Sequence, residues 1–262
     1  MFRPKDCQKC AELFQKYYSG RKFHDDLYGG LIRKYLGPGQ RLLDAGCGRY
    51  MKFCRELSGT ARVVGIDLES VLDTNNDNAP FGITGDLSRL PFGSEQFEMV
   101  ICRSVVEHLE SPHQVFGEFW RVLRPTGKVV IVTPNKYDYV SLIAAMTPYQ
   151  LHRNLVSKIF QSPADDVFPT RYRANTVSAM RKAMSAAGFV ERELTTINHY
   201  PAYLMFSPVL FRLGVLYERL TALELFRGLR ASILCVFEKD PAKNVQTRPP
   251  AKRRHEAPIE VS

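Results

Sequence analysis

The chain has 262 residues, 45% of them apolar, and a net charge of +9. That length suits one α/β domain with additions, or at most two small domains, and the apolar share supports a sizeable buried core. The opening residues, MFRPKDCQKC, lack the apolar run of a secretory signal, and no uninterrupted apolar stretch of about 18 residues occurs, so neither a leader nor a transmembrane helix is expected.

Residues 8–36 are expected to be helical: Leu27, Leu31 and Leu36 fall near one face, and Gly-Pro-Gly at 37–39 stops the run. RLLDA (41–45) reads as a short buried strand, with a helix at 50–58 after it. RVVGID (62–67), FEMVICRS (97–104) and GKVVIVTP (127–134) read as further strands, and FGEFWRVL marks a helix at 112–123. These strands are rich in Val, Ile and Leu with little alternation, as strands covered on both faces are. Strand alternating with helix predicts a parallel sheet with crossover helices. Residues 135–172 read as a loop-rich insert. Asn175 or Thr176 caps the next helix and Gly188 ends it. FVERELTTI (189–197) and ASILCVFEK (231–239) read as two more strands, separated by a long segment, 198–230. Beyond 239 the chain is basic, proline-containing and poor in apolar residues; it is expected to be a disordered tail, either solubilising or touching an anionic membrane or nucleic acid.

Six cysteines lie at 7, 10, 47, 54, 102 and 235. Cys7-x2-Cys10 has no second C-x2-C pair, so no metal site is expected. Cys102 and Cys235 sit in apolar strand-like runs, where a free cysteine behaves as a small hydrophobe. Reduced thiols in a cytoplasmic chain are the economical reading.

The first strand runs into Asp44 and then a turn with Gly46 and Gly48 before a helix. Glycine lets backbone approach a ligand closely, and such sheets hold ligands beyond the carboxyl ends of their strands. Asp67 ends the next strand, 23 residues after Asp44, where an acid can accept from both hydroxyls of a ribose. Asp86 follows a further short strand and can accept from an adenine amino group. Taken singly, each aspartate or glycine is a turn or cap residue; three acids closing neighbouring strands suggest an adenosine ligand. A pyrophosphate wants G-x-G-x-x-G, and here the third position is Met51. An acid directly before the turn suits the cationic amino-acid end of S-adenosylmethionine better than a phosphate.

The stretches LLDAGCG (42–48), VVGIDLES (63–70), GDLSRLPFGSEQFEMVICRSVVEHLESP (85–112) and EFWRVLRPTGKVVIVTPN (118–135) resemble, in order, the motifs of class I S-adenosylmethionine-dependent methyltransferases, in particular the type 11 family that includes the ubiquinone and menaquinone methyltransferases. The resemblance covers roughly residues 25–135 strongly and 170–238 by pattern. It implies a Rossmann-like α/β fold: a seven-stranded, mostly parallel sheet flanked by helices, with a helical N-terminus (1–38) and inserts after strand 5 and between strands 6 and 7. It also implies that Asp44, Ala45, Gly46, Cys47 and Gly48 line the methionine end of the cofactor. Asp67 would hold the ribose with Leu68 beside the adenine, Asp86 and Leu87 the adenine, and Arg103 would stand by the methionine carboxylate or nearby backbone. The family often has glycine where this chain has Tyr50, which would push the turn outward or set a phenol over the cofactor.

Methyl transfer from a sulfonium is an in-line displacement with a good neutral leaving group, so alignment of the reactants carries it, and positioning can supply roughly 7–11 kcal/mol. A base is needed only where the acceptor must lose a proton. The candidates are His152, His199, Tyr137 and Tyr200, each with a structural reading beside the catalytic one; His108 reads as a packed or capping histidine and Arg103 also as a surface ion-pair residue. CRSVVE after the fourth strand lacks the Asn/Asp-Pro-Pro-Tyr or Phe motif of enzymes that methylate base amino groups, so a nucleic-acid partner is not expected. In 199–230, Leu210, Leu213, Leu216, Leu220, Leu223 and Phe226 recur at helical spacing, interrupted by Arg212, Arg219, Arg227 and Arg230. Three roles compete for this segment: a lid over an apolar substrate, a helix lying in a membrane interface, or a face that packs on the core or a dimer partner. The first two fit a lipid-like acceptor such as an isoprenoid quinone or glycolipid, and a cytoplasmic chain peripheral to the inner face of a membrane; a sugar or other small polar acceptor stays open. Two other functions remain alongside: a non-catalytic adenosine-cofactor-binding protein associated with membranes, and a nicotinamide-dependent oxidoreductase.

Overall fold

Seven short strands assemble into one sheet. The computed structural model describes residues 7–49, 51–69, 81–146 and 168–243. β1 (Arg41–Ala45) lies between β2 (Arg62–Asp67) and β4 (Phe97–Arg103), parallel to both. β3 (Phe81–Thr84) continues the sheet beyond β2, and β5 (Leu123–Pro134) beyond β4, again in parallel. β7 (Ser232–Lys239) is antiparallel to β5 on one side and to β6 (Phe189–Ile197) on the other. The spatial order is β3-β2-β1-β4-β5-β7-β6. The order reverses between β1 and β4, and beyond the carboxyl ends of strands at such a reversal is where open α/β sheets bind ligands.

The weak alternation of the strands has its cause in two cores. On one face Leu43, Val64, Val100 and Ile131 pack with Phe116 and Phe119 of α4 (Pro112–Val122) and Met180 and Met184 of α6 (Val177–Ala186). On the other, Leu42, Ile101, Val130 and Leu234 pack with Tyr28 and Ile32 of α2 (His24–Tyr35) and with Phe53 and Leu57 of α3 (Lys52–Leu57). Thr176 caps α6 by accepting from Ala179 N at 3.1 Å, and Gly188 ends it at φ +88°. Asn175 is instead buried, donating to Thr133 Oγ1 at 2.7 Å and to the Pro134 carbonyl at 3.0 Å.

The N-terminal helical region departs from the single run expected over 8–36. It is two helices, α1 (Gln8–Tyr18) and α2, broken at Gly20, whose φ of +74° is left-handed. The helix expected at 50–58 is the shorter α3, β5 begins at Leu123 rather than 127, and the 135–172 insert contains a helix, α5 (Tyr139–Met146). α7 (Pro208–Ala222) forms a third apolar cluster with α1 through Leu13, Tyr18, Phe211 and Val215. The tail expected to be disordered lies, beyond residue 243, outside the described residues. Cys7 Sγ accepts from Cys10 N at 3.3 Å at the start of α1, and among the described residues no cluster of His, Cys, Asp and Glu could hold a metal ion. Cys102 and Cys235 are buried free thiols. Among the described residues, no helix is long and apolar enough to cross a membrane.

One polar contact closes the α1–α7 pair. The Tyr18 hydroxyl donates to Glu218 Oε2 at 2.6 Å, and Arg21 Nη1 donates to Glu218 Oε1 at 2.8 Å. Tyr18 is 2% exposed, so its hydroxyl has no water to fall back on. Tyr18→Phe is expected to lower stability by about 1–3 kcal/mol in urea unfolding, because Glu218 loses a charge-assisted bond; an unchanged midpoint would show that the contact does not anchor α1.

Candidate active site

The turn after β1 is built so that only glycine fits. Gly46 has φ +81°, and a Cβ there would lie 2.1 Å from Val105 Cγ2. The Gly46 and Cys47 amides donate to the Ile66 carbonyl at 2.8 and 3.2 Å, which pins the turn to the end of β2. Gly48 has φ +65°, and a Cβ there would meet nothing within 4 Å; its backbone borders open space. Its amide donates to Asp67 Oδ2 at 2.8 Å, while Asp67 Oδ1 accepts from Glu69 N at 3.1 Å. The acid that ends β2 therefore holds the glycine turn that follows β1. Tyr50 lies outside the described residues.

Asp44 is 3% exposed. It accepts from the Cys54 thiol at 3.3 Å. Burial pushes its pKa up to about 7, against the pull of the Cys54 thiol and the Arg103 charge and with the neighbouring Asp67 charge adding to the rise. Ala45 is buried and Cys47 is half-buried. Asp86 is exposed beyond β3, its Oδ1 accepting from Ser88 N at 2.8 Å; Leu87 is buried in the core beside it, and Leu68 is largely exposed past β2.

Sequence reasoning missed the wall that α2 supplies. Asp25, at its start, accepts from Arg103 Nε at 2.9 Å, from Lys52 Nζ at 2.9 Å, and meets His24 Nε2 at 2.9 Å. Burial works to raise the Asp25 pKa, but the His24 hydrogen bond, the Arg103 charge and the Lys52 hydrogen bond outweigh it and hold the carboxyl well below the usual range. Arg103 is thus oriented by α2. The Tyr28 hydroxyl, from the same helix, is fully buried beside the Cys102 backbone amide and feels the charges of Asp44 and Arg103. Nothing in the acid pair at 25–26 distinguishes this role from ordinary acids in a helix's first turn.

Beside Arg103 a cavity of about 600 Å³ extends past the ends of β5 and β6 and the start of β7 to α7. His199 faces it from beyond β6. Its Nδ1 lies 3.0 Å from the Tyr200 carbonyl, which can only accept, so the ring proton sits on Nδ1 and Nε2 keeps its lone pair. Burial lowers the His199 pKa, and the nearby His24, with ring centroids 4.8 Å apart, adds to that. Tyr200 is packed edge-on against Phe14 and Phe23, each with centroids 5.0 Å away. Tyr137 is exposed. His108 takes the packed role, with Nδ1 3.0 Å from the Pro169 carbonyl and its ring against Phe168. His152 lies outside the described residues.

The elevated Asp44 pKa makes a prediction for the cofactor-free protein. The folded state holds this proton where the unfolded state, near pKa 3.8, has lost it. The associated stability is fully present below about pH 4 and is lost as pH rises through about 7, a change on the order of 3–4 kcal/mol. The stability of the wild type should therefore fall between pH 4 and 8 relative to Asp44→Asn, measured by urea unfolding; parallel pH profiles would contradict the burial of an uncompensated carboxyl.

Comparison with known proteins agrees with this fold. The methyltransferase domain family of type 11 matches residues 43–131. The ubiquinone/menaquinone biosynthesis C-methyltransferase UbiE of Vibrio parahaemolyticus is 24% identical over 209 residues, covering 69% of this chain and 80% of that protein. An S-adenosylmethionine-dependent methyltransferase from Mesorhizobium loti shares the fold with a TM-score of 0.54 at 18% identity, over 80% of this chain and 96% of its own. Geranyl diphosphate C-methyltransferase from Streptomyces coelicolor A3(2), solved with S-adenosyl-L-homocysteine, does so with a TM-score of 0.53 at 15% identity, over 82% and 79%. Matched motifs and strand order converge: the chain is an S-adenosylmethionine-dependent methyltransferase that carries a type 11 methyltransferase domain over residues 43–131.

Proposed function

We propose that this methyltransferase modifies a lipid-like small molecule that it meets at the surface of a membrane, and that the crevice between β1 and β4 is its cofactor site. S-adenosylmethionine supplies a methyl group on a sulfonium, a leaving group that departs neutral. Asp44 suits the cationic amino-acid end, because it is a buried carboxyl with a single weak thiol donor. Ala45, Gly46, Cys47 and Gly48 supply the close-lying backbone around it. Each oxygen of Asp67 accepts one backbone N–H and keeps a second lone pair for a ribose hydroxyl. Asp86 and Leu87, with Leu68, border the adenine end. Arg103, oriented by Asp25, stands on the carboxylate side, and the Tyr28 hydroxyl close by can donate a further hydrogen bond. His199 presents a neutral Nε2 toward the acceptor cavity and takes a proton from an acceptor that must lose one.

The observation that carries the lipid reading is the two-sidedness of α7. Gly214, Tyr217 and Glu218 line the cavity. The opposite side leaves Leu213, Leu216 and Leu220 exposed, and Leu223, Leu225 and Phe226 continue the exposed apolar surface into the following 3-10 helix, Glu224–Leu229. Arg212, Arg219 and Arg227 are interleaved with it, and the chain carries +9 overall, which suits an anionic bilayer. Isolated exposed leucines need no explanation, but a contiguous apolar surface does.

Two measurements test this reading. Asp67→Ala should weaken S-adenosylhomocysteine binding roughly ten- to hundred-fold by calorimetry, from loss of charge-assisted hydrogen bonds; an unchanged affinity removes Asp67 from the site. Wild-type protein should float with phosphatidylglycerol vesicles, and Leu216→Glu combined with Leu225→Glu should leave it in the soluble fraction while S-adenosylhomocysteine still binds. Equal flotation of both proteins would remove α7 from the membrane.

A further inference from the structure

The acceptor cavity has a chemical bias of its own, set by a residue that neither the motifs nor the family match assigns. Asp138 follows β5, at the start of α5, and lines the cavity while only 4% exposed. Burial raises its pKa to about 6, outweighing the Val140, Tyr139 and Ser141 amides at the start of α5, which favour its charged form. Its Oδ2 accepts from Val140 N at 3.0 Å, and its Oδ1 is buried with no hydrogen-bond partner. A buried carboxylate oxygen without a donor is costly, and the cost is relieved by whatever donor next enters the cavity.

The surroundings choose the kind of donor. Tyr139, Tyr172, Tyr203 and Tyr217 all border the cavity. Tyr139 and Tyr217 meet edge to face, with ring centroids 5.0 Å apart. Burial raises the pKa of all four phenols and the charge of Asp138 adds to it, so they stay neutral and present π faces rather than charge. The other carboxylates on the cavity, Glu107 and Glu218, already have partners: Thr133 Oγ1 donates to Glu107 at 2.9 Å, and Tyr18 and Arg21 hold Glu218. Among the described residues that line the cavity, Arg103 is the one Arg or Lys, and Asp25 engages it. An anion entering there finds three carboxylates against a single guanidinium, Arg103, which Asp25 already engages. An ammonium finds an open carboxylate oxygen and aromatic rings, the pairing by which proteins recognise cationic amines.

From the unpartnered Asp138 Oδ1 set among Tyr139, Tyr172, Tyr203 and Tyr217, we infer that the acceptor of this methyltransferase carries an amine, bound as an ammonium against Asp138. The inference rests on reading the cavity as the acceptor site and narrows the lipid-like acceptor to an amine-bearing one. Asp138 acts here as a recognition residue.

Three eight-carbon probes that differ only at the head separate the possibilities: octylammonium, octanol and octanoate, titrated calorimetrically into protein saturated with S-adenosylhomocysteine. Octylammonium is expected to bind at least ten-fold more tightly than octanol, and octanoate more weakly than either. Asp138→Asn, which keeps the shape and removes the charge, should abolish that preference while octanol and S-adenosylhomocysteine bind as before. Equal wild-type affinities for octylammonium and octanol, no binding of any probe, or a preference that survives Asp138→Asn each overturn the inference. Should the variant fail to fold, seen as loss of S-adenosylhomocysteine binding, the wild-type preference alone decides. Octylammonium selectivity in a protein that does not bind S-adenosylhomocysteine would leave the inference standing and overturn the cofactor site instead, so the two failures are distinct.

Discussion

A carboxyl buried at the end of β1 is the constraint around which this site is organised. Asp44 sits where the strand order reverses, in a position that excludes water, with a thiol as its described donor. An ionised carboxylate is poorly tolerated in such a place unless a cation is near. The chain answers in part, by setting Arg103 at the end of the adjacent β4 where its charge stabilises the anion. On the proposed function, the remainder of the deficit is what the cationic end of the cofactor would relieve. The glycine turn beyond Asp44 is fixed by its backbone: Gly46 and Gly48 are left-handed, and at Gly46 Val105 leaves no room for a Cβ, while Gly48 borders open space.

The proposed cofactor site and the proposed acceptor cavity are joined through one residue of α2. Asp25 gathers Arg103, Lys52 and His24, and His24 in turn lies against His199 on the cavity wall. A shift of α2 therefore moves the group beside the crevice and the candidate base together. α1 and α7 close the cavity from the far side through Tyr18, Arg21 and Glu218. The N-terminal helices thus wall the cavity as well as covering a sheet face. Positioning of two reactants is most of what methyl transfer asks of a protein, and a wall that touches both binding regions is suited to it.

The sheet was legible in the sequence because its strands announce themselves twice, by dense Val, Ile and Leu and by the acid or glycine that ends them. β2 and β6 fall on the residues expected, and Thr176 and Gly188 bound α6 as their chemistry dictates. The glycine turn and its acids were legible for the same reason: Asp44, Gly46, Gly48 and Asp67 stand close in sequence and the strand register brings them together. The acceptor side was not. Asp138, Tyr172, Tyr203 and Tyr217 come from four separate segments, and only the antiparallel pairing of β7 with β5 and β6 sets those segments around one cavity. His24 and Asp25 are ordinary first-turn residues until the break at Gly20 starts α2 where Asp25 meets Arg103 at the end of β4. The apolar repeat of 210–226 showed a helix with two possible faces, and its leucines at 213, 216 and 220 turned out to point away from the core.

The central claim is that the carboxyl ends of β1 and β2 hold the nucleoside and amino-acid ends of the methyl donor. A crystal structure with S-adenosylhomocysteine bound tests it most directly. The account predicts the ligand in the crevice between β1 and β4, its ribose hydroxyls within hydrogen-bond distance of Asp67 and its ammonium on the Asp44 side of the Gly46–Gly48 turn. Ligand density elsewhere, or in that crevice with both carboxylates turned away from it, would contradict the account.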